Sequence, residues 1–391
     1  MTRSLVIVQV PPYPPMGGVA LRNWQTLNLL KRLGEVAIFS IYHGPDQSAE
    51  ELKQQGFTTV HYDIAKLRRP WIEKVKNRLS YFRPDGYRYS DWLYTAEAAR
   101  KLTQLIKTFQ PTLVVFEELW LYSYVKTVKR ATNASIVLDN HNIEGDKEGY
   151  RFSSRKLEQI RYIEKRFVQQ ATQTWVCSVS DSQMVQQLYG VDGYSLKVIP
   201  NGVDASFYQQ PMTRERHQLL FLGKFSYQPN ADAAIILINE IYPQIKQRYP
   251  DTHLWLVGCD PTPEMEAVTD ENIHVTGMVP DVRPYLNKAS TMVVPLYKGG
   301  GTRLKILEAF ASRCPVVSTD KGAEGLMGED DVHLCIGNTS EEMVEKVIYL
   351  WENEAMAQDM AKKAHELFVE TYSWQAVEQP VRAAIAELRT C

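Results

Sequence analysis

Short apolar segments rich in β-branched residues alternate with helical patterns along almost the whole chain. A strand that is followed by a helix and a further strand packs into a parallel sheet with helices on its faces. Such strands are buried on both faces and are therefore continuously apolar, as these segments are. The predicted strands cover residues 5–10, 36–41, 112–116, 135–138 and 174–179 in the first half, and residues 219–222, 254–257, 273–275, 291–296 and 316–318 in the second. The sequence predicts an α/β fold with mostly parallel sheets.

The chain is too long for one hydrophobic core, because it has 391 residues and single cores stop growing at about 250–300 residues. The strand and helix pattern is interrupted by a turn-rich stretch over residues 189–204, which contains only one short predicted strand, and we place a domain boundary near Asn201. The prediction is two Rossmann-like doubly wound domains over residues 1–200 and 201–372, with a final helix over residues 373–391 that packs back on the first. Ligands of such sheets bind beyond the carboxyl ends of the strands, so we expect a site in a cleft where the two domains face each other.

Helix starts are marked by polar residues at characteristic spacings. The strand over residues 174–179 leads into Ser180-Asp-Ser-Gln183, which predicts a capping box. In the second half, helices are predicted over residues 230–248 and 303–312, and Thr302 is the predicted N-cap of the latter.

The composition favours a cytoplasmic protein that does not bind nucleic acid. The net charge is −2, which argues against a dedicated nucleic-acid binder. The five cysteines form no CxxC pair, and no apolar run approaches the roughly 20 residues that cross a membrane. The amino terminus enters an apolar stretch that is too short for a signal peptide and is instead expected to be a buried strand.

The most informative segment runs from Gly299 to Ala311, where three glycines precede a predicted helix. Glycines let backbone N–H groups approach a ligand, and a helix start offers unpaired N–H groups that suit phosphate. Arg303 and Lys305 are predicted to lie in the first helical turn, where the helix dipole disfavours cations. A bound diphosphate would offset that cost. The alternative is a glycine turn with solvated basic side chains.

These residues also resemble the donor-site signature of a known family, the retaining GT-B glycosyltransferases that use nucleotide-sugar donors (group 1, or family 4, type). The resemblance is spread over most of residues 199–326, in the segments 199–204, 221–232, 256–258, 275–285, 301–311, 315–319 and 322–326. It implies a GT-B architecture with an amino-terminal acceptor domain and a carboxy-terminal donor domain. It also implies a metal-independent hexosyltransferase of polysaccharide or glycoconjugate biosynthesis, without a cofactor but with a nucleotide-diphosphate sugar as co-substrate.

The resemblance implies a set of donor-binding residues and two departures from the family pattern. Glu308 matches the glutamate expected on the nucleotide ribose, but Gly300 stands where a glutamate usually contacts the sugar. Lys224 and Asn230 stand where relatives use an arginine and a lysine to hold the diphosphate, so Arg303 and Lys305 are the predicted replacements. The predicted donor-binding residues are Gly17, Gly18, Lys224, Asn230, Gly300, Gly301, Thr302, Arg303, Lys305 and Glu308.

Catalytic residues are predicted at the carboxyl ends of two strands in the first half. His141 follows the strand over residues 135–138 and resembles the family histidine that contacts the donor sugar; a histidine satisfying loop backbone is the alternative. Glu117 and Glu118 follow the strand over residues 112–116, and either could orient or deprotonate the acceptor hydroxyl; the alternative is that both are solvated acids at a strand end. The family is thought to react at the front face of the sugar, with the leaving diphosphate helping to deprotonate the acceptor.

A basic amphipathic segment over residues 66–83 contains seven basic residues and one acid. It predicts either peripheral attachment to an anionic membrane, which suits a lipid-linked acceptor, or an ordinary surface helix. The acceptor is therefore left open between a glycan, a lipid-linked compound and a small molecule.

Two other functions are compatible with the same donor site. A nucleotide-sugar epimerase would bind the donor without an acceptor, and a non-catalytic binding module would fit the glycine at position 300. A nicotinamide-dependent oxidoreductase is disfavoured, because the segment after the first strand lacks the GxGxxG spacing.

Overall fold

The computed structural model describes residues 2–15, 17–44, 48–64, 93–146, 154–208, 213–301 and 303–388. Thr302 and the whole amphipathic segment therefore lie outside the described residues. The chain divides into two compact units: Met1–Ile199 together with Glu378–Cys391, and Pro200–Val377.

The described part of the first unit contains a seven-stranded parallel sheet with the order β3-β2-β1-β4-β5-β6-β7. Its strands are β1 (Thr2–Val8), β2 (Gly34–Tyr42), β3 (Thr58–Asp63), β4 (Leu113–Glu117), β5 (Ser135–Asn140), β6 (Gln173–Val176) and β7 (Leu196–Val198). Its helices are α1 (Gly18–Lys31), α2 (Ala49–Gln54), α3 (Ala96–Phe109), α4 (Val125–Ala131), α5 (Ser154–Gln170) and α6 (Val179–Tyr189). The order turns back at β1 and β4, and parallel sheets of this kind bind ligands at that point.

The described part of the second unit contains a six-stranded parallel sheet with the order β10-β9-β8-β11-β12-β13. Its strands are β8 (Gln218–Leu222), β9 (His253–Val257), β10 (Ile273–Val275), β11 (Thr291–Val294), β12 (Val316–Ser318) and β13 (Cys335–Ile336). Its helices are α7 (Gln228–Ile236), α8 (Tyr242–Arg248), α9 (Pro263–Ala267), α10 (Arg283–Lys288), α11 (Leu304–Ala311), α12 (Asp320–Ala323), α13 (Ser340–Glu352) and α14 (Glu354–Leu367). The predicted α/β fold with parallel sheets is confirmed in both units.

A last helix, α15 (Trp374–Glu387), ends the described chain. Its residues from Glu378 onward group with the first unit, where Gln173 Nε2 donates to Ala384 O (2.9 Å). Arg32 pairs with Glu378 in the same unit at 2.6 Å.

The structure corrects some of the predicted local features. The capping box at Ser180 is absent, because Ser178 is the N-cap of α6 and its hydroxyl accepts from Asp181 N (3.1 Å). The helix predicted over residues 230–248 is confirmed as a continuous helical stretch, in which a π-helical turn, Leu237–Ile241, lies between α7 and α8. The predictions omitted β3 and β13; β13 is too short to give a periodic signal.

Candidate active site

Four polar residues of the first unit meet at the carboxyl ends of β4 and β5. Glu117 is the last residue of β4 and is in register with Asp139, which is near the end of β5. His141 follows β5 directly. Arg22 reaches the same place from α1, the helix that follows the Gly17 turn. The adjacent parallel strands bring these side chains together because their carboxyl ends share one edge of the sheet.

His141 and Glu117 form a buried pair. The distance between His141 Nε2 and Glu117 Oε2 is 2.8 Å, and the exposed fractions of the two residues are 7% and 0%. The other ring nitrogen, Nδ1, is buried and has no hydrogen-bond partner among the residues that the structure describes. An unsatisfied buried polar atom costs about 1–3 kcal/mol, so a ligand that contacts Nδ1 would relieve a real penalty.

His141 lies at a small surface depression. The other lining residues all come from the two segments after β4 and β5: Glu118, Leu119, Trp120, Asn140, Asn142 and Glu144. This is the edge at which the sequence predicts the chemistry of the first unit.

Asp139 is held by Arg22 in a bidentate pair. Arg22 Nε donates to Asp139 Oδ2 (3.0 Å) and Nη2 donates to Oδ1 (2.8 Å), while Thr26 adds a hydroxyl donor to Oδ2 (3.2 Å). Burial opposes ionisation of Asp139, but the Arg22 charge prevails and lowers the pKa of that carboxyl. The remaining guanidinium nitrogen, Nη1, donates to Ile199 O (2.7 Å). The Arg22–Asp139 pair therefore links α1 to β5 and to Ile199, the residue that follows β7.

The pKa values of Glu117 and His141 are shifted so that each side chain favours its neutral form. Burial, and then repulsion by Asp139, raises the pKa of Glu117 well above its usual value. Burial lowers the pKa of His141. Glu117, Asp139 and His141 also bring three potential metal-ligand atoms within 4.8 Å of one another. However, both oxygens of Asp139 already accept from a guanidinium, whose positive charge would repel a metal ion there.

Glu118 lies beside this network with a strained backbone. Its φ is 79°, in the region that favours glycine, and its amide donates to Asp139 O (3.0 Å). Gln9 Nε2 donates to the Glu118 carboxylate at 2.7 Å. Burial raises the pKa of Glu118. Because Glu118 lines the depression and Glu117 has no exposed surface, Glu118 is the more accessible acid.

The loop that carries His141 is fastened by Glu164, which sequence reasoning missed. Glu164 Oε1 accepts from Asn140 Nδ2 (2.8 Å) and Glu144 N (3.1 Å). Glu164 Oε2 accepts from Gly145 N (2.8 Å) and Tyr189 Oη (2.5 Å). A Cβ at Gly145 would lie 2.1 Å from Tyr189 Oη, so only glycine permits this approach. The available signal was an acid beside the buried Ile160, Ile163 and Phe167 of α5.

Replacement of Glu164 by alanine is expected to lower the free energy of unfolding by about 2–4 kcal/mol, because several buried donors lose their acceptor. Glu164→Gln keeps the volume and one carbonyl acceptor and is expected to lose about half as much. Urea denaturation followed by circular dichroism measures both values. Equal stability of Glu164→Ala and the wild type would contradict the assigned role.

Gly17 and Gly18 were predicted to lie near the donor phosphates. Gly17 has a φ of 85° and precedes α1, which begins at Gly18. The Leu21 amide donates to Gly17 O (3.0 Å), which closes the first helical turn. Their predicted contact with a donor stays a prediction.

In the second unit, the glycine-rich loop after β11, residues 299–301, is held by hydrogen bonds to the Arg303 side chain. Gly299 and Gly301 have φ values of 102° and 83°, which favour glycine. Arg303 Nη2 donates to Gly299 O (2.8 Å) and Nη1 donates to Gly300 O (2.7 Å). The guanidinium of Arg303, a residue only 7% exposed, therefore closes the loop by binding its carbonyl groups.

The start of α11 differs from the prediction. The helix begins at Leu304, and the N-cap position is occupied by Arg303 rather than by Thr302. The placement of Arg303 in the first turn was therefore wrong, because its side chain is committed to the loop carbonyls. Lys305 is the second residue of α11 and does lie in the first turn.

Lys305 brings a cation to the position of Asn230. Its ammonium donates to Asn230 Oδ1 (2.9 Å), and Asn230 Nδ2 donates to Lys224 O (2.9 Å). The ammonium also lies 4.0 Å from the centre of the Phe221 ring. Within the described residues the Lys305 ammonium forms no ion pair within 4.0 Å, and the charge of Glu308 stabilises it without direct contact. Burial, and then the nearby charge of Arg303, lowers the pKa of Lys305 well below its usual value.

Glu308 follows Lys305 by three residues on the same helix. Its Oε1 accepts from Tyr208 Oη (3.2 Å). Burial raises the pKa of Glu308 to about 7, although Tyr208 and Lys305 act against the shift.

The Lys224 side chain projects outward, and its ammonium lies 3.7 Å from the Asp260 carboxylate, with both side chains exposed. The structure thus groups Lys305, Asn230, Arg303 and the glycine loop closely, with the Lys224 ammonium turned toward a surface acid.

Comparisons with known proteins match both halves of the chain. The family model described as Glycosyltransferase Family 4 matches residues 16–207, and the model described as Glycosyl transferases group 1 matches residues 216–353. A glycogen synthase from Mycobacterium tuberculosis is 24% identical over 252 residues, which are 61% of this chain and 59% of that protein. The aligned part thus spans about three-fifths of this curated relative.

Solved structures agree over nearly the whole chain. The sucrose-phosphate synthase from Thermosynechococcus elongatus has a TM-score of 0.75 at 15% identity and covers 100% of both chains. HepE from Anabaena, solved with UDP and glucose, has a TM-score of 0.72 at 14% identity and covers 99% of this chain and 100% of its own. At these identities the likeness shows the GT-B fold, as predicted. Within the described residues, no helix is both long and apolar enough to cross a membrane.

Proposed function

Because this chain belongs to the GT-B-fold glycosyltransferases with a family 4 domain followed by a group 1 domain, we propose that it is a retaining hexosyltransferase that needs no metal ion. The donor is a nucleotide-diphosphate sugar, and the acceptor is a hydroxyl of a glycan, a lipid-linked compound or a small molecule. The observation that carries the proposal is the Lys305 ammonium, which is held by Asn230 beside a glycine loop and has no carboxylate partner among the described residues.

The donor diphosphate would bind against Lys305 and the glycine loop. A dianionic diphosphate supplies the negative charge that Lys305 lacks, and charged hydrogen bonds of this kind are about twice as strong as neutral ones. Arg303 would then act mainly by shaping the loop, since its guanidinium donates to Gly299 O and Gly300 O. Glu308 would accept from the ribose hydroxyls in place of Tyr208. Gly300, Gly301, Thr302 and the Lys224 side chain would complete the donor site.

In the first unit, His141 would contact the donor sugar, and Glu117 or Glu118 would orient the acceptor. His141 Nδ1 is buried and has no hydrogen-bond partner among the described residues, which supports a ligand beside His141. On the front-face mechanism the bond from the sugar to the diphosphate breaks as the acceptor oxygen attacks from the same face. The acceptor proton passes to the leaving diphosphate oxygen. The protein then acts by positioning and by stabilising the charge that grows on the diphosphate.

A two-stage assay tests the proposal. Thermal shift with a panel of nucleotide sugars identifies the donor, because a ligand that binds only the folded protein raises its Tm. The donor is then incubated with glycan, lipid-linked and small-molecule acceptors. Acceptor-dependent transfer supports the proposal. Epimerised nucleotide sugar without transfer would favour the epimerase instead, and binding without turnover would favour a binding module.

The affinity for the nucleotide sugar is expected to fall as the pH drops below about 7. The ionised Glu308 accepts hydrogen bonds from the ribose, and protonation removes that ability, so the affinity is lost on the acid side of the Glu308 pKa of about 7. The dissociation constant should rise by at most about tenfold per pH unit. On the alkaline side the lowered pKa of Lys305 brings a second decline, because the neutral amine binds phosphate weakly.

Calorimetry from pH 5.5 to 9 measures this profile. A nucleotide sugar is the right ligand, because its doubly esterified diphosphate does not titrate in this range. Glu308→Gln is the matched control and should flatten the acid limb while leaving the alkaline limb. Persistence of the acid limb in that variant would show that another group titrates.

We include a peripheral position at the inner face of the membrane in the proposal, through residues 66–83. The composition of that segment supports it: seven basic residues are interleaved with aromatic ones. Liposome co-sedimentation of a variant with reversed charges at Lys74 and Lys76 tests this part, and sedimentation independent of anionic lipid would remove it.

A further inference from the structure

The buried network of the first unit holds two carboxyl groups and one guanidinium. Arg22, Glu117 and Asp139 are at most 2% exposed. Both oxygens of Asp139 accept from Arg22, so Asp139 is the natural anion for that cation. A second carboxylate beside it would be a buried charge without a counterion, which costs several kcal/mol. The charge balance therefore requires Glu117 either to be protonated or to face an imidazolium.

The contacts of Glu117 decide where such a proton lies. Its Oε2 is 2.8 Å from His141 Nε2. Its Oε1 is buried and accepts from no donor of the described residues. The Asp139 carboxylate is also near enough to accept a hydrogen bond from a protonated Glu117, but it already accepts three hydrogen bonds from Arg22 and Thr26. His141 Nε2 is therefore the better acceptor for a carboxylic acid proton on Oε2. The other possibility, an imidazolium against a carboxylate, places two further charges in a buried site and is disfavoured by desolvation of both.

We propose that Glu117 is a positioning residue: it is a neutral acid that donates from Oε2 to His141 Nε2 and holds the imidazole in the tautomer that carries its proton on Nδ1. In this state Glu117 cannot act as the general base, since its acidic proton is already in place. The accessible acid for orienting the acceptor is then Glu118.

The tautomer decides what His141 offers to a ligand. With its proton on Nδ1, the unpartnered nitrogen is a hydrogen-bond donor, and its partner must be an oxygen lone pair. A sugar hydroxyl has such lone pairs. The sugar as partner rests on the proposed function, whereas the protonation state of the pair does not.

Nitrogen-15 NMR of the full-length, histidine-labelled protein without ligand tests the proposal directly. The His141 signals are identified as those missing from His141→Asn. The expected spectrum has one protonated ring nitrogen, Nδ1, and one unprotonated nitrogen, Nε2, coupled to the ring protons in the pattern of that tautomer. A proton on Nε2, or on both nitrogens, at pH 7.5 would overturn it. This readout needs neither donor nor acceptor.

Glu117→Gln distinguishes positioning from base catalysis. Glutamine keeps the shape and an N–H donor for Nε2 but cannot accept a proton. With the donor that gives the largest thermal shift, we expect kcat to fall by about three- to tenfold, whereas loss of a general base lowers the rate by about 10²-fold or more. A loss of that size with an unchanged Tm would overturn the proposal.

Glu117→Leu removes the hydrogen bond and is expected to mix the two His141 tautomers and to lower kcat by about tenfold. A purely structural role would change the Tm without changing the tautomer. Absence of transfer with every donor and acceptor would refute the proposed function, yet the NMR result would still decide the state of Glu117.

Discussion

Replacement of Lys305 by methionine is expected to raise the dissociation constant for a nucleoside diphosphate by about 100-fold. Methionine keeps an unbranched apolar stem over Phe221, whose ring lies 4.0 Å from the ammonium, and removes the charge together with the hydrogen bond to Asn230. A charged hydrogen bond contributes about 1.5–3 kcal/mol, and about 2.7 kcal/mol corresponds to a 100-fold change in affinity. The loss is near the upper end because Asn230 already holds the ammonium in place at 2.9 Å.

Calorimetry with UDP, GDP and ADP measures the change, using whichever binds the wild type. Lys288→Met is the matched control, because it removes the same charge in the same unit from an exposed side chain that pairs with Glu215. Its affinity should stay within about twofold of wild type. Equal affinities of Lys305→Met and wild type would contradict the assigned donor site.

Replacement of Arg22 by methionine is expected to lower the free energy of unfolding by about 3–5 kcal/mol. The reason is that the Asp139 carboxylate, which has no exposed surface, loses its counterion. Ile199 O also loses a donor that lies at 2.7 Å. Urea denaturation measures the change.

Arg32→Met is the matched control, at the end of the same helix. Its partner is Glu378, and the Arg32 side chain is 46% exposed, so the expected loss is below about 1 kcal/mol. The double variant Arg22→Met with Asp139→Leu should recover much of the loss, because an apolar pair leaves no buried charge. A double variant as unstable as Arg22→Met would show that the shape of the pair matters more than its charge.

The sequence predicted the donor loop but not which groups the side chains of Arg303 and Lys305 contact. Glycines ahead of a helix indicate an anion site, and Lys305 lies in the first turn as expected. Arg303 differs because Gly299 and Gly301 have positive φ values that turn the loop carbonyls toward its guanidinium. The link from Lys305 to Asn230 joins residues 75 positions apart. No local pattern encodes such a contact, although the loss of a basic residue at position 230 indicated that a cation would come from elsewhere.

In the first unit, the sequence located the edge of the sheet but not the pairing along it. Polar residues after two apolar strands predicted that Glu117 and His141 would lie at one edge, because parallel strands end together. Burial then decides their chemistry, and burial depends on α1 and α5 packing over the same edge. Arg22 and Asp139 are 117 positions apart. Glu164 was overlooked because an acid on an amphipathic helix is usually solvated.

A proton NMR time course of the reaction, with an α-linked nucleotide sugar and the acceptor found in the screen, tests retention at the anomeric carbon. We expect the anomeric signal of the donor to decline only when acceptor is present, while a product signal with the same small anomeric coupling grows at the same rate. A product with inverted configuration, or loss of the donor signal without acceptor, would contradict the proposed retaining transfer.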